Sequence, residues 1–269
     1  MRTSSDPTAN SRRRYLETAS AAEAGLDPTI EQSWRRCAAN GLPLDFRADE
    51  ATYGGGELQQ RREERERLIA YALPELENIQ QQIAGTNSTV ILTDPEGVLL
   101  HRLGDADFHR RAEAVALRPG ACWHETARGT NAIGTAIHER RPVSVHRAEH
   151  YLECNTFLTC AASPILDPTG TLVGLLDISG DQAARQMHSL GLVRMATTMI
   201  ENRLLEDHFS EALYVYFHPR PEFLGTLGQG IAAFAGDGRL LAANACARRL
   251  LSVDEAAGAG FEALFDMPF

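Results

Sequence analysis

The sequence predicts an α+β chain, with antiparallel hairpins and helices occupying separate stretches. Two observations carry this reading. Short apolar runs flank an Asp-Pro-x-Gly turn at 89–100 and again at 165–176, and a looser Gly-Asp-Gly turn at 232–242. In such a turn proline presets φ and glycine takes the left-handed position, so each run doubles back on its neighbour. Amphipathic helical patterns lie outside these hairpins, at 57–84 and 181–217, rather than between successive strands. That separation argues against a doubly wound parallel sheet.

Taken in order, residues 1–14 are polar, small and Arg-rich, and read as disordered, with helical character from Tyr15. In the next helix Asp27 is placed to cap and Pro28 takes the favoured first position, while Gly41 and Pro43 stop it. Ile30, Trp34 and Cys37 recur at helical spacing, and Trp34 is expected to anchor packing against another subunit or domain. Gly54-Gly55-Gly56 reads as a hinge into a helix over 57–84. There Leu68, Ile69, Ala72, Leu76, Ile79 and Ile83 form a stripe and Pro74 predicts a kink or break. A short helix is expected over 105–117 and a strand over 158–162. The helical run at 181–217 carries a broad apolar stripe through Val193, Ala196, Ile200 and Leu204. With 57–84 it makes either a dimer seam or a cover for one sheet face. Residues 218–222 read as a linker. The remaining stretch is too short to hold a core alone, so it is either docked on the rest or is the opening of a further domain.

Composition bounds the function. The formal net charge is -10 over 269 residues, which argues against a nucleic-acid surface, since phosphate contacts need a basic face. All 26 basic residues are arginine. Without lysine there is no Walker A loop and no Schiff-base chemistry. Five cysteines without a C-x-x-C pair fit a reducing cytoplasm. No signal peptide and no uncharged apolar run of about 18 residues is evident, so a soluble cytoplasmic protein is expected.

The chemistry gathers in 122–181. Thr130 or Asn131 suits a helix cap, and Gly134 allows a neighbouring backbone to come close. Trp123, Glu125, Thr130 and Asn131 read either as the floor of a ligand pocket or as a capped core helix with a packed tryptophan. Cys122, His124, His138, His146, Glu149, His150, Cys154 and Cys160 do not fall into a known metal-ligand spacing, so neither metal nor cofactor is expected. No nucleophile and base arrangement is legible, so no catalytic residue is assigned. The alternative is a thiol or redox enzyme, or a metal- or haem-based sensor, using Cys154, Cys160 and the nearby histidines.

The motifs Trp123-x-Glu125, Gly129-Thr-Asn-Ala-Ile-Gly-Thr135, Glu149-His150, Leu158-Thr-Cys160, Pro164-Ile165, Asp167-Pro-x-Gly170 and Gly174-Leu-Leu-Asp-Ile-Ser-Gly180 occur in order. Together they resemble the sensory GAF domain of the acetoin catabolism regulator (AcoR)-like, sigma-54-dependent activators. Ile30-x-x-Ser-Trp-Arg-Arg-Cys37 resembles the leader of that family, and 219–269 resembles the start of a PAS domain. The resemblance implies a leader over 1–56, a GAF sensor over 57–182, a signalling helix over 183–217 and a partial PAS-like segment over 218–269. It implies a homodimer that binds a small organic effector of hydroxyketone, ketone or alcohol type. The residues expected to face the effector are Trp123, Glu125, Thr130, Asn131, His150, Asn155 and Cys160. DNA and polymerase contacts are expected from downstream domains only, with no membrane partner.

Overall fold

A computed structural model of the chain describes residues 7–18, 26–46, 52–253 and 258–269. They fall into two compact units, Met1–Pro164 with Gly174–Arg194, and Ile165–Val173 with Met195–Phe269. Strands β1 (Ser88–Thr93), β2 (Leu99–Gly104), β3 (Val143–His146), β4 (Thr159–Leu166) and β5 (Leu172–Gly180) form one antiparallel sheet ordered β2-β1-β5-β4-β3. The α+β class is as the sequence predicts. The hairpin turns form as read: Asp94 Oδ1 accepts from the amides of Glu96 and Val98, and Gly97 sits at φ +82°. Asp167 Oδ1 likewise accepts from the amides of Thr169 and Thr171.

Register fixes which side chains share a face. Asp177 pairs with Ile91 and Ile91 pairs with Arg102, so these three point the same way. Helix α1 (Pro7–Thr18) and helix α2 (Pro28–Ala39) precede α3 (Gly55–Glu64) and α4 (Glu66–Ile83). Helix α4 packs on the opposite face, where a Cβ on Gly174 would lie 2.7 Å from Leu68. Arg102 Nη1 donates to the carbonyl of Leu117 at 2.5 Å, and Leu99 bonds through its backbone with Gly120 and Ala121, so the stretch after helix α5 (Ala106–Glu113) runs beside strand β2. Beyond α5 come α6 (Glu125–Arg128), α7 (Ala132–Glu139) and α8 (Met187–His208). In the second unit, strands β6 (Leu213–Phe217), β7 (Gly230–Phe234) and β8 (Leu240–Ala243) form a separate antiparallel sheet. Phe234, Leu240 and Ala247 centre its core, with Phe217, Phe261 and Phe265 packed against them.

Several elements differ from the sequence reading. The helix spans 7–18, so residues 7–14 are helical rather than disordered, because Arg12 and Tyr15 gain tertiary partners that local polarity does not reveal. Residues 1–6 lie outside the described part. Gly55 and Gly56 belong to the first turn of α3 instead of a hinge, with Gly54 capping and its amide donating to Glu57. The break in 57–84 falls at Arg65, not at Pro74. The proline is exposed inside α4, with buried Leu68 and Ala72 before it and Leu76, Ile79 and Ile83 after it holding the helix together. The helical run ends at His208, and Leu-Tyr-Val-Tyr-Phe at 213–217 becomes a strand, as its β-branched and aromatic content favours. Trp34, expected to pack against another subunit or domain, is wholly buried, with its ring edge to face on Tyr15 and on Tyr151.

Candidate functional site

Two polar clusters lie near each other in the chain, and their hydrogen bonding distinguishes them. The first surrounds Glu125. Asn131 caps α7 by accepting from the amide of Gly134 at 2.9 Å, and its Nδ2 donates to the carbonyls of Trp123 and Gly129. A Cβ on Gly134 would lie 2.6 Å from the amide nitrogen of Glu125, so only glycine admits this approach. The Glu125 carboxylate receives both Nε and Nη2 of Arg36, at 2.8 and 2.9 Å, and the hydroxyls of Ser33 and Thr135. Thr130 Oγ1 lies 2.7 Å from Ser33 Oγ and extends the network. Burial raises the proton affinity of Glu125, but the Arg36, Ser33 and Thr135 hydrogen bonds together hold its pKa below the usual range. Trp123 donates its indole N–H to the carbonyl of Ala116 at 3.1 Å.

The second cluster sits on the β3–β4 connection, residues 147–158, which winds through short 3-10 turns at Arg147–Glu149 and Glu153–Asn155. N-terminal helices grip its backbone. Arg12 Nη1 and Nη2 donate to the carbonyls of His150 and Tyr151, and Trp34 Nε1 donates to the carbonyl of Glu149 at 2.8 Å. The Trp34 ring meets Tyr151 edge to face, with centroids 5.6 Å apart. Arg185 pairs with the Glu149 carboxylate.

His150 Nε2, Asn155 Nδ2 and Asp177 Oδ1 are among the buried side-chain polar atoms that have no hydrogen-bond partner within the described residues. His150 Nδ1 lies 2.9 Å from the carbonyl of Arg147. A carbonyl only accepts, so Nδ1 carries the proton and Nε2 presents a bare lone pair. Burial lowers the His150 pKa to about 4 and keeps the ring neutral at pH 7. On the sheet, Ser179 Oγ donates to Asp177 Oδ2 at 2.5 Å and lies 3.0 Å from Cys160 Sγ, whose S–H is free to point at the hydroxyl oxygen. Burial lifts the Asp177 pKa to about 7, more than the Ser179 hydrogen bond offsets. Burial and the Asp177 charge raise the Cys160 thiol well above its ordinary value.

The residues singled out from sequence therefore separate. Trp123, Glu125, Thr130 and Asn131 come together as one network whose polar groups bond within the chain. His150 and Asn155 lie on the 147–158 connection, and Cys160 lies on the sheet beside Ser179 and Asp177. Cys154 is half-buried with its thiol 3.6 Å from Asn155 Oδ1, and both Cys154 and Cys160 are free thiols. The Cys160 thiol, held protonated by its burial, is a poor nucleophile. Among the described residues no group of three or more His, Cys, Asp or Glu side chains is placed to hold a metal. Sequence reading passes over Arg12, inside a stretch read as disordered, and gives Asp177 no role in a site. The one sequence signal for Asp177 was a carboxylate in an otherwise apolar run, Leu172-Val-Gly-Leu-Leu-Asp-Ile.

Residues 6–202 match the family described as MimR, N-terminal domain. The chain is 32% identical over 192 residues to the acetoin dehydrogenase operon transcriptional activator AcoR of Bacillus subtilis, covering 71% of this chain and 32% of that protein. It is 30% identical over 257 residues to the acetoin catabolism regulatory protein of Cupriavidus necator, covering 89% and 38%. It thus spans about a third of the length of these relatives. Among solved structures, that of the Escherichia coli DhaR(N)–DhaL complex superimposes with a TM-score of 0.65 at 19% identity, covering 90% of this chain and 84% of that one. Its likeness supports the fold. The relatives are regulators of operon transcription, and among the described residues no helix is long and apolar enough to cross a membrane. By the family match, this chain belongs to the MimR N-terminal domain family.

Proposed function

We propose that the chain is the effector-sensing region of a cytoplasmic, sigma-54-dependent transcriptional regulator, with its GAF-type unit binding a small uncharged metabolite of hydroxyketone, ketone or alcohol type. The observation that carries this is the set of buried, unpartnered polar atoms on His150, Asn155 and Asp177. Natural interiors rarely leave such groups unpaired except where a ligand or water completes them. Cys160 shares the sheet side of this set, while Trp123, Glu125, Thr130 and Asn131 form the wall that holds it in shape. The grip of Arg12 and Trp34 on 149–151 offers a route by which an ordered effector stabilises one arrangement of the N-terminal helices. A ligand shifts such an equilibrium only by its differential affinity for the two states. The exposed Met195 on α8 supports a homodimer seam, with DNA and polymerase contacts left to downstream domains.

The test is a thermal-shift screen of the purified chain against small ketones, hydroxyketones, alcohols and diols. An effector at about 100 times its Kd adds roughly 2.7 kcal/mol, a shift of several degrees. A folded protein unmoved by every compound overturns the reading.

A further inference from the structure

Helix α1 is anchored by a charge rather than by an apolar face. Among its described side chains only Arg12 is buried; Tyr15 is half-buried, and the neighbouring Leu16 is 49% exposed. A helix of 12 residues with this polarity does not persist in water without packing. Its order therefore rests on where the Arg12 side chain goes.

That place is a slot set by residues outside α1. The guanidinium carbon lies 5.1 Å from the centroid of the Trp34 ring, and Nη1 and Nη2 donate to the carbonyls of His150 and Tyr151 at 2.6 and 2.8 Å. Trp34 on α2 takes the preceding carbonyl, that of Glu149. Three successive carbonyls of the 147–158 connection are thus held by two side chains from two helices. Trp34 is wholly buried, the Tyr151 hydroxyl donates to the Leu42 carbonyl, and the Tyr151 amide donates to the Thr130 carbonyl. An aromatic face beside two convergent carbonyls suits a planar guanidinium. The anchor is weak for its burial. Among the described residues Arg12 forms no ion pair, and burial lowers its proton affinity more than Glu153, acting through space, restores.

We propose that α1 is a releasable strap, and that the Trp34 face with the His150 and Tyr151 carbonyls is a guanidinium-binding slot filled from within the chain by Arg12. With α1 docked, the connection is closed at 149–151. With α1 released, the His150 and Tyr151 carbonyls lose their donors, and Trp34 alone holds the backbone there. The slot thereby couples the order of α1 to the order of the connection. This inference needs no effector and does not rest on the sensor reading.

The experiment is amide hydrogen exchange on the whole chain, wild type and Arg12→Ala, read by NMR in α1, at His150, Tyr151 and Glu153, and along β1. The three connection amides donate to the carbonyls of Arg147, Thr130 and Leu44, so each reports on closure. In the wild type, α1 should exchange through an opening of its own, well before β1. In Arg12→Ala, α1 should lose its protection and the three connection amides should exchange about 10- to 100-fold faster, with β1 unchanged. Ethylguanidinium, the group that the substitution removes, should at millimolar concentration restore protection at 150–153 without restoring α1. Ethylammonium, a point charge, should not. A contact that is merely structural gives the losses but no such rescue. Wild-type α1 as protected as β1 would make it part of the core and sink the strap, a result that needs no variant to fold. Connection amides unmoved in Arg12→Ala, or rescued no better by ethylguanidinium than by ethylammonium, would overturn the slot.

Discussion

Around Glu125, Arg36, Ser33 and Thr135 engage the carboxylate, while Asn131 bonds with Gly134, Gly129 and Trp123. A short distance along the chain, His150, Asn155 and Asp177 are buried just as deeply, yet each holds back one polar atom. Burial alone does not separate the two clusters. Their hydrogen-bond accounting does. A closed network in a water-poor interior fixes the chain in one arrangement, whereas an incomplete one carries a standing cost that a bound molecule can relieve. The comparison divides a brace from a site among residues that sequence placed together.

The sharpest way to break the division is to attack the brace. Glu125→Ala leaves Arg36, Ser33 and Thr135 facing a void, and removing one partner of a buried ion pair costs about 3–5 kcal/mol. Urea unfolding should show a loss of that order. A loss below about 1 kcal/mol would mean the network is not structural. Asn131→Ala should cost about 1 kcal/mol through the lost cap, and more if the bonds to Trp123 and Gly129 also matter.

The incomplete cluster should respond differently, chiefly in pH dependence. Asp177 is raised to about 7, above its unfolded value, so its neutral form is fully tolerated at acid pH. Stability is then lost as pH rises from about 4 through about 7. His150 runs the other way. Lowered to about 4, it favours folding above its ordinary pKa, and that contribution is lost as pH falls towards 4. Asp177→Asn should therefore flatten the alkaline loss and leave the acid loss in place. Glu201, also raised to about 7 by burial, contributes to the alkaline limb in both proteins, so the readout is the difference between them. Equal slopes from pH 4 to 8 would show that the Asp177 carboxyl titrates like a solvated group. The smallest effect is expected from Asn155→Leu, which removes a donor without a partner and should change stability by under about 1 kcal/mol. A larger loss would move Asn155 into the brace.

Much of this architecture was legible beforehand. The Asp-x-Gly turns named all three hairpins because their chemistry is local: an aspartate side chain accepts the amides that follow it, and glycine takes the positive φ. A helix cap at Thr130 or Asn131 and the tight approach at Gly134 were readable for the same reason. Local pattern misled where distant partners decide. Residues 7–14 read as too polar to order, and only the carbonyls of His150 and Tyr151, far along the chain, give Arg12 its place. Pro74 reads as a kink or a break, and burial on both sides of it carries α4 through without a break.

Sequence by itself determined the α+β class, the hairpins, the capped helix and the absence of lysine chemistry, since each depends on residue type or on neighbours a few positions away. Tertiary structure alone decided which buried polar atoms found partners. Glu125 meets Ser33 and Arg36 across about ninety positions of chain, and the proton on His150 is placed by a carbonyl in a turn whose shape the sheet imposes. Hydrogen bonds are satisfied in three dimensions, so the line between brace and site could be drawn only from the folded chain.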